Sequence, residues 1–156
     1  MIEKARFETA RGNFQKMLRW IGAHLDEQYN KAWLNIQDDG VHAVASMGQA
    51  AISYCTFTDP FIQDIHMNDE IDTSAGIESL INIDEVSEYV EFVGGETVTI
   101  SFYGNEDENL CRRMKIKGDI EIDIYVPHSE ADYNSQQTQV VTRYDDDNRW
   151  VKSDGD

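Results

Sequence analysis

Four histidines, His24, His42, His66 and His128, are the side chains best suited to move a proton or hold a metal near neutral pH. No two of them stand four residues apart, so the H-x-x-x-H spacing of a helix-borne zinc site is missing. His24 flanks an apolar stripe and reads as a boundary residue. The two thiols, Cys55 and Cys111, form no C-x-x-C pair and read as small core residues of a reduced compartment. A nucleophilic Cys111 would need a histidine beside it, and no spacing in the chain provides one, so a packed thiol is the preferred reading. Asp145-Asp146-Asp147 offers carboxylates to a hard cation but lacks the spaced ligands of a calcium loop, and reads as a solvated run. The phosphate-cradling patterns G-x-x-x-x-G-K-[ST] and G-x-G-x-x-G are absent, as is the G-x-S-x-G elbow. The expectation is a protein that is not an enzyme, with no cofactor and no metal. An enzyme using a metal at the acidic tail is the alternative from another class.

Binding is what remains, and charge limits to what. Thirteen Lys and Arg stand against 30 Asp and Glu in 156 residues, a formal charge of −17. Counterion release needs clustered cations, so such a chain does not hold nucleic acid by bulk electrostatics, nor does it adhere to an anionic membrane. An apolar content of 40% is that of a globular chain. No apolar run approaches the roughly 20 residues needed to span a bilayer, and no apolar stretch follows the charges at Glu3, Lys4 and Arg6 as in a signal peptide. A cytoplasmic protein is expected. Acidic residues spread along the whole chain, with only six lysines, form a self-repelling surface of the kind halophiles use. A halophilic source is therefore expected, with a merely acidic interaction protein as the plainer alternative.

The elements that must position any binding residues follow from periodicity. Arg6–Thr9 reads as a short strand. Residues 11–26 read as a helix whose stripe is Phe14, Met17, Leu18, Ile21 and Leu25, with Lys16 and Arg19 on the opposite face. Ala32, Leu34 and Ile36 alternate as a strand, Asp38-Asp39-Gly40 turns it, and Val41–Ser46 returns. Ala50–Phe57 and Phe61–Met67 are further strands. Asn82 with Glu85 three residues on starts a second helix, to Val93, buried through Val86, Tyr89, Val90 and Val93. Gly94-Gly95 stops it. Val98–Phe102, Leu110–Lys117 and Asp119–Val126 follow as strands. Two helices among antiparallel strands give an α+β domain over 1–127, both helices on one face. Residues 128–156 read as an acidic extension with one strand at 139–143.

This order resembles the DNA sliding-clamp family, in its proliferating-cell-nuclear-antigen type of archaea and eukaryotes. The resemblance runs from Arg6-Phe7-Glu8 through Phe14–Arg19, Ile36–Val41, Ile83–Val86 and Glu96–Ile100 to Val126. It covers residues 6–126, about the N-terminal half of such a subunit. It implies helices lining the inside of a ring around double-stranded DNA, strands outside, and no chemistry. Lys16 and Arg19 would face DNA. Clients such as a polymerase, nuclease or ligase would dock at Met47, Gly48, Gln49 and Ala50 with Val126 and Pro127. Ile120, Ile122 and Ile124 would mark the subunit edge, adding to an edge strand near 61–66 of the next copy. Three departures stand out. One domain per chain would require six copies for a ring. The outward positions of the second helix, Asp84, Glu88 and Glu91, are acidic. The tail replaces the usual linker, and its segment Gln137–Tyr144 partly resembles the motif by which clients enter clamp pockets. Two readings result: a processivity clamp of replication or repair, or a non-encircling adaptor or decoy that binds clamp clients or a host clamp, the product of an archaeal virus or mobile element.

Overall fold

Strand β1 (Ile2–Ala10) is longer than its short expected core, because it is hydrogen-bonded on both sides. It buries Ala5, Phe7 and Thr9 on one face by simple alternation. The computed structural model describes residues 1–22, 30–47, 51–126, 141–144 and 150–152.

Helix α1 (Arg11–Ile21) buries Phe14, Met17, Leu18 and Ile21, as the stripe predicts. It is capped at Gly22, whose amide donates back to Leu18 and Trp20, and the expected run on from 23 to 26 lies outside the described residues. Leu25 and His24 lie outside the described residues. Strands β2 (Lys31–Gln37) and β3 (Gly40–Met47) form a hairpin with Gln37 paired to Gly40 across Asp38-Asp39. β4 (Ala51–Phe57) pairs with β3.

β5 (Gln63–Met67) starts two residues later than expected. Phe61 and Ile62 instead turn back, their amides donating to the Thr58 carbonyl at 2.8 and 3.2 Å. β6 (Ile77–Asn82) leads into helix α2 (Ile83–Val93), and the Asn82 side chain caps it by accepting from the Glu85 amide at 3.0 Å. Gly94 and Gly95 follow at φ of 68° and 86°, a conformation that favours glycine.

The remaining strands of the domain are β7 (Thr97–Gly104), β8 (Arg113–Lys117) and β9 (Glu121–Tyr125). β8 is shorter than the expected 110–117 run because Leu110 and Cys111 bond elsewhere. Leu110 bridges Glu78 of β6, and the Cys111 amide donates to the Glu78 carbonyl at 2.8 Å. The 105–112 segment thereby crosses from one sheet to the other. Lys4, 1% exposed, anchors this crossing with its ammonium on the Glu108 carbonyl.

Two antiparallel sheets result, ordered β5-β1-β7-β8-β9 and β4-β3-β2-β6. The helices lie side by side beneath both. α1 packs on β1, β3 and β4, and α2 on β6, β8 and β9. The core between them is one cluster that includes Phe7, Phe14 and Phe102, whose rings stand 6.0 Å apart in successive pairs. Beyond the domain, β10 (Val141–Tyr144) and β11 (Trp150–Lys152) pair as a hairpin, where a single strand at 139–143 was expected.

Candidate functional site

The outer surface of the helix pair is where the expected DNA-facing residues fall. Lys16 and Arg19 are both exposed on α1, three residues apart and so on one face. Neither makes an ion pair among the described residues. A third cation of this helix, Arg11, is committed: its guanidinium donates to the Gly95 carbonyl at 2.7 Å and pairs with Glu91 at 3.2 Å. Gln15 donates to the same Glu91 carboxylate at 2.6 Å. These contacts join the start of α1 to the end of α2, so the helices run antiparallel.

The outer face of α2 is acidic. Asp84, Glu85, Glu88 and Glu91 are all exposed there, beside Phe92, which is 68% exposed. The helix layer therefore shows two stripes, one cationic and one anionic. Phosphates are attracted to the first and repelled by the second. Trp20 extends the cationic stripe; it is 49% exposed and stacks on Phe57 with ring planes 7° apart.

The proposed subunit edge needs correction in one detail. Ile120 precedes β9 rather than lying in it, because its amide is drawn to the Val93 carbonyl at 3.3 Å at the end of α2. Ile122 and Ile124 lie in β9 and pack partly against the core. β9 is nevertheless an outermost strand of its sheet, as is β5 at the other end. Tyr125, 79% exposed, is the large apolar group that the edge presents. The isoleucine alternation hid it, since Tyr125 falls on the other face. Arg113 holds this face in place, with Asp123 at 2.7 Å and the Tyr125 ring centroid at 4.6 Å.

The client-pocket residues are only partly within the described chain. Met47 ends β3 and pairs with Ala51. Val126 is buried, with its amide on the Arg112 carbonyl at 3.1 Å, so it closes the core rather than lining an opening. Gly48, Gln49, Ala50 and Pro127 lie outside the described residues, as do His128, Asp145–Asp147 and residues 137–140.

The candidate chemical groups are occupied structurally. Cys111 is fully buried, and burial pushes its thiol up to about 12, far from a thiolate at neutral pH. Cys55 is half-buried and its thiol is also raised by burial. Burial lowers the His42 pKa against the smaller opposing pull of Asp39, and its Nδ1 lies 3.1 Å from the Thr56 hydroxyl. Among the described residues no group of three or more His, Cys, Asp or Glu could hold a metal ion. No described helix is long and apolar enough to cross a membrane. A shallow hollow of about 400 Å³ beside β5 is ringed by Asp38, Asp39, Asp59 and Asp64, a setting that repels anions.

No family model matches the chain, and no curated protein matches it. Solved structures do. The chain is similar to the DNA polymerase III beta subunit of Borrelia burgdorferi, with a TM-score of 0.63, 13% identity, and 83% of this chain covered. The beta subunit of Pseudomonas aeruginosa gives a TM-score of 0.63 at 9% identity, and the DNA polymerase sliding clamp of Bacillus subtilis 0.63 at 10%. The chain spans about a third of their length, 31%, 32% and 31% respectively. These matches are bacterial, whereas the sequence resemblance was to the archaeal and eukaryotic type. Element order, two sheets and paired helices thus give this chain the α+β fold of a single sliding-clamp domain.

Proposed function

We propose that this protein is a clamp-like scaffold of DNA replication or repair, using one clamp domain per chain. The observation that carries the reading is the fold, shared with bacterial sliding clamps over most of this chain. In this reading copies join edge to edge, β9 of one supplying the outermost strand for the next. Two outermost strands of a neighbouring copy, β5 and β4, differ in charge as acceptors. β5 carries Asp64 and borders the acidic hollow, which repels the Glu121 and Asp123 of β9. β4, Ala51–Phe57, carries no charge and presents Tyr54, 52% exposed. β4 is therefore the better acceptor. Six copies would turn α1 inward, with Lys16 and Arg19 toward the phosphates of an encircled duplex. Clients would dock at the Met47–Ala50 loop and Pro127, beside Val126, whose side chain is buried in the core. An acidic surface suited to strong salt belongs to the same proposal, since at 1 M salt the Debye length is about 3 Å and the acidic α2 face is screened. An archaeal or viral source fits this reading.

Light scattering behind size exclusion, in molar KCl over a wide concentration range, tests it. A mass near six chains supports the ring. A monomer at every concentration refutes it. The exposed acids Asp84, Glu88 and Glu91 favour a second reading, a non-encircling adaptor or decoy for clamp clients or a host clamp. That reading predicts binding of a Gln-x-x-aliphatic-x-x-aromatic-aromatic peptide, weakened by Met47→Ala, and a flat titration removes it.

A further inference from the structure

The register of the second sheet sets one apolar row across its outer face. Leu80 of β6 pairs with Trp33 of β2, Trp33 with Val44 of β3, and Val44 with Tyr54 of β4. Cross-strand partners share one side of a sheet. This side is opposite Ala32, Leu34 and Ile36, which face the core. Trp33 is half-buried and Tyr54 exposed. Val44 and Leu80 are 1% and 0% exposed, yet neither belongs to the cluster that the helices and sheets enclose. Their cover therefore comes from the outer side. The face is also nearly free of charge. β2, β3, β4 and β6 together carry one lysine and one glutamate, Lys31 and Glu78, in a chain of −17. An acidic partner is repelled less there than at the acidic face of α2 or the hollow beside β5.

The chain itself supplies such a partner. Val126 ends the domain with its amide on the Arg112 carbonyl, and residues 127–156 follow. In that extension β10 and β11 pair with Tyr144 opposite Trp150. Val141, Tyr144, Trp150 and Val151 make up most of its large apolar content. A two-stranded hairpin alone is marginal in water and needs a surface to pack on. The 14 residues from 127 to 140 reach at most about 45–50 Å when extended. A domain of this size has a radius of gyration of about 14 Å, so the outer face lies within reach. From 128 to 156 the chain carries seven acids and three bases. It suits a face whose cation, Lys31, lies two residues from Trp33 on the same side.

We infer that the β10–β11 hairpin docks on the outer face of the second sheet of its own chain, over Leu80, Trp33 and Val44. The row ends at Tyr54, so the backbone edge of β4 stays open to a neighbouring copy and the helix face is left uncovered. The inference rests on the register, burial and charge of this face and not on the clamp reading. Where both hold, the docked hairpin stands beside the Met47–Ala50 loop, since Met47 lies three residues beyond Val44 on β3. A client entering at that loop then meets the extension first, and the extension acts as a tethered competitor.

Limited trypsin digestion of the full chain, read by mass spectrometry, tests it. Arg143, Arg149 and Lys152 are the cleavage sites of the extension, and a synthetic peptide of residues 128–156 is the unprotected standard. Cleavage of a transiently opened segment follows the population of its open form. The extension of the wild-type chain is expected to be cut at least about tenfold more slowly than the peptide, at a rate independent of protein concentration. Trp150→Ser, which alters the extension alone, should bring the rate to that of its own peptide. Trp33→Thr, which keeps a strand-forming residue in β2, should do the same from the other side of the contact. Phe92→Ser, on the helix side, should leave the protection as it is. A wild-type extension cut as fast as the peptide, or a Trp150→Ser chain cut at the wild-type rate, overturns the inference. Protection that rises with protein concentration also overturns it, because the face then holds the extension of another copy. Light scattering on the same samples separates the two readings. A sixfold mass without protection removes this inference and leaves the clamp reading standing. Protection in a lasting monomer does the reverse.

Discussion

Gly118→Ala and Gly12→Ala are the same chemical change with opposite expected signs. At Gly118 a methyl would overlap the Gly94 carbonyl oxygen and stand 3.0 Å from Val93 Cγ2 and from the Val93 carbonyl oxygen. Two of these neighbours are backbone and cannot swing aside. The 118–120 turn must therefore move off the end of α2. That movement strains the Asp119 and Ile120 amide bonds to the Val93 carbonyl, at 2.9 and 3.3 Å. Two such bonds are worth about 1 kcal/mol each. Overpacking adds about 1–3 kcal/mol. The total is about 3–5 kcal/mol, a fall in Tm of about 6–20 °C for a chain of this size. Gly12 sits in α1 with nothing near a Cβ. Alanine there should stabilise by about 0.5–1 kcal/mol, raising Tm by about 1–4 °C. Thermal melts followed by circular dichroism, in one buffer of molar KCl, read both. A Gly118→Ala protein that melts with the wild type would refute the packing of the 118–120 turn on α2. A loss at Gly12 would refute the open outer face of α1.

Asn82→Ala removes the cap of α2 and should cost about 1 kcal/mol in denaturant titration, while Asn82→Asp, which still accepts from the Glu85 amide, should cost much less. Glu78 is mostly buried, and burial raises its pKa, with an opposing Asn35 hydrogen bond. Its folded state keeps the proton above the pH at which the unfolded chain has lost it. Stability from this group is therefore present at low pH and falls as pH rises from about 4.5 through the raised folded value. Glu78→Gln should gain stability over wild type across that window and hold the gain at neutral pH; melting curves with a pH-independent difference would contradict this. Alkylation at pH 8, mapped by mass spectrometry, should modify half-buried Cys55 first and leave Cys111 intact until the chain unfolds, given its depth and a thiol near 12.

Much of the fold was readable because burial writes a period into the chain. Phe14, Met17, Leu18 and Ile21 gave α1, Asn82 and Glu85 gave the start of α2, and Asp38-Asp39 gave the hairpin. The misplaced boundaries have one cause: the backbone found a partner from elsewhere in the fold. Phe61 and Ile62 bond to Thr58, Cys111 bonds to Glu78, and Ile120 bonds to Val93. None of those partners is local in pattern. At the candidate site the sequence placed the exposed charges of both helices correctly. It did not reveal that Glu91 is engaged by Arg11 and Gln15, nor that Phe92 and Tyr125 stand in solvent, because the apolar periods of α2 and β9 passed both rings by. The burial of Lys4 carried no local signal, since a lysine in an early strand ordinarily faces water.

β1 lies inside its sheet, between β5 and β7, and Phe7 pairs with Ile100, about ninety residues later. On a ribosome moving at about 5–20 residues per second, this first strand waits roughly 5–20 s for its partner to be made. Until then β1 lacks its longest-paired neighbour, while α1 already has β3 and β4 to cover its stripe. The slow, non-local closure of such a topology lengthens the exposure further. A chain that carries −17 repels its neighbours during the wait. The acidity that makes the finished surface a poor ligand for phosphate thus also protects the nascent chain from aggregating before β1 is enclosed on both sides.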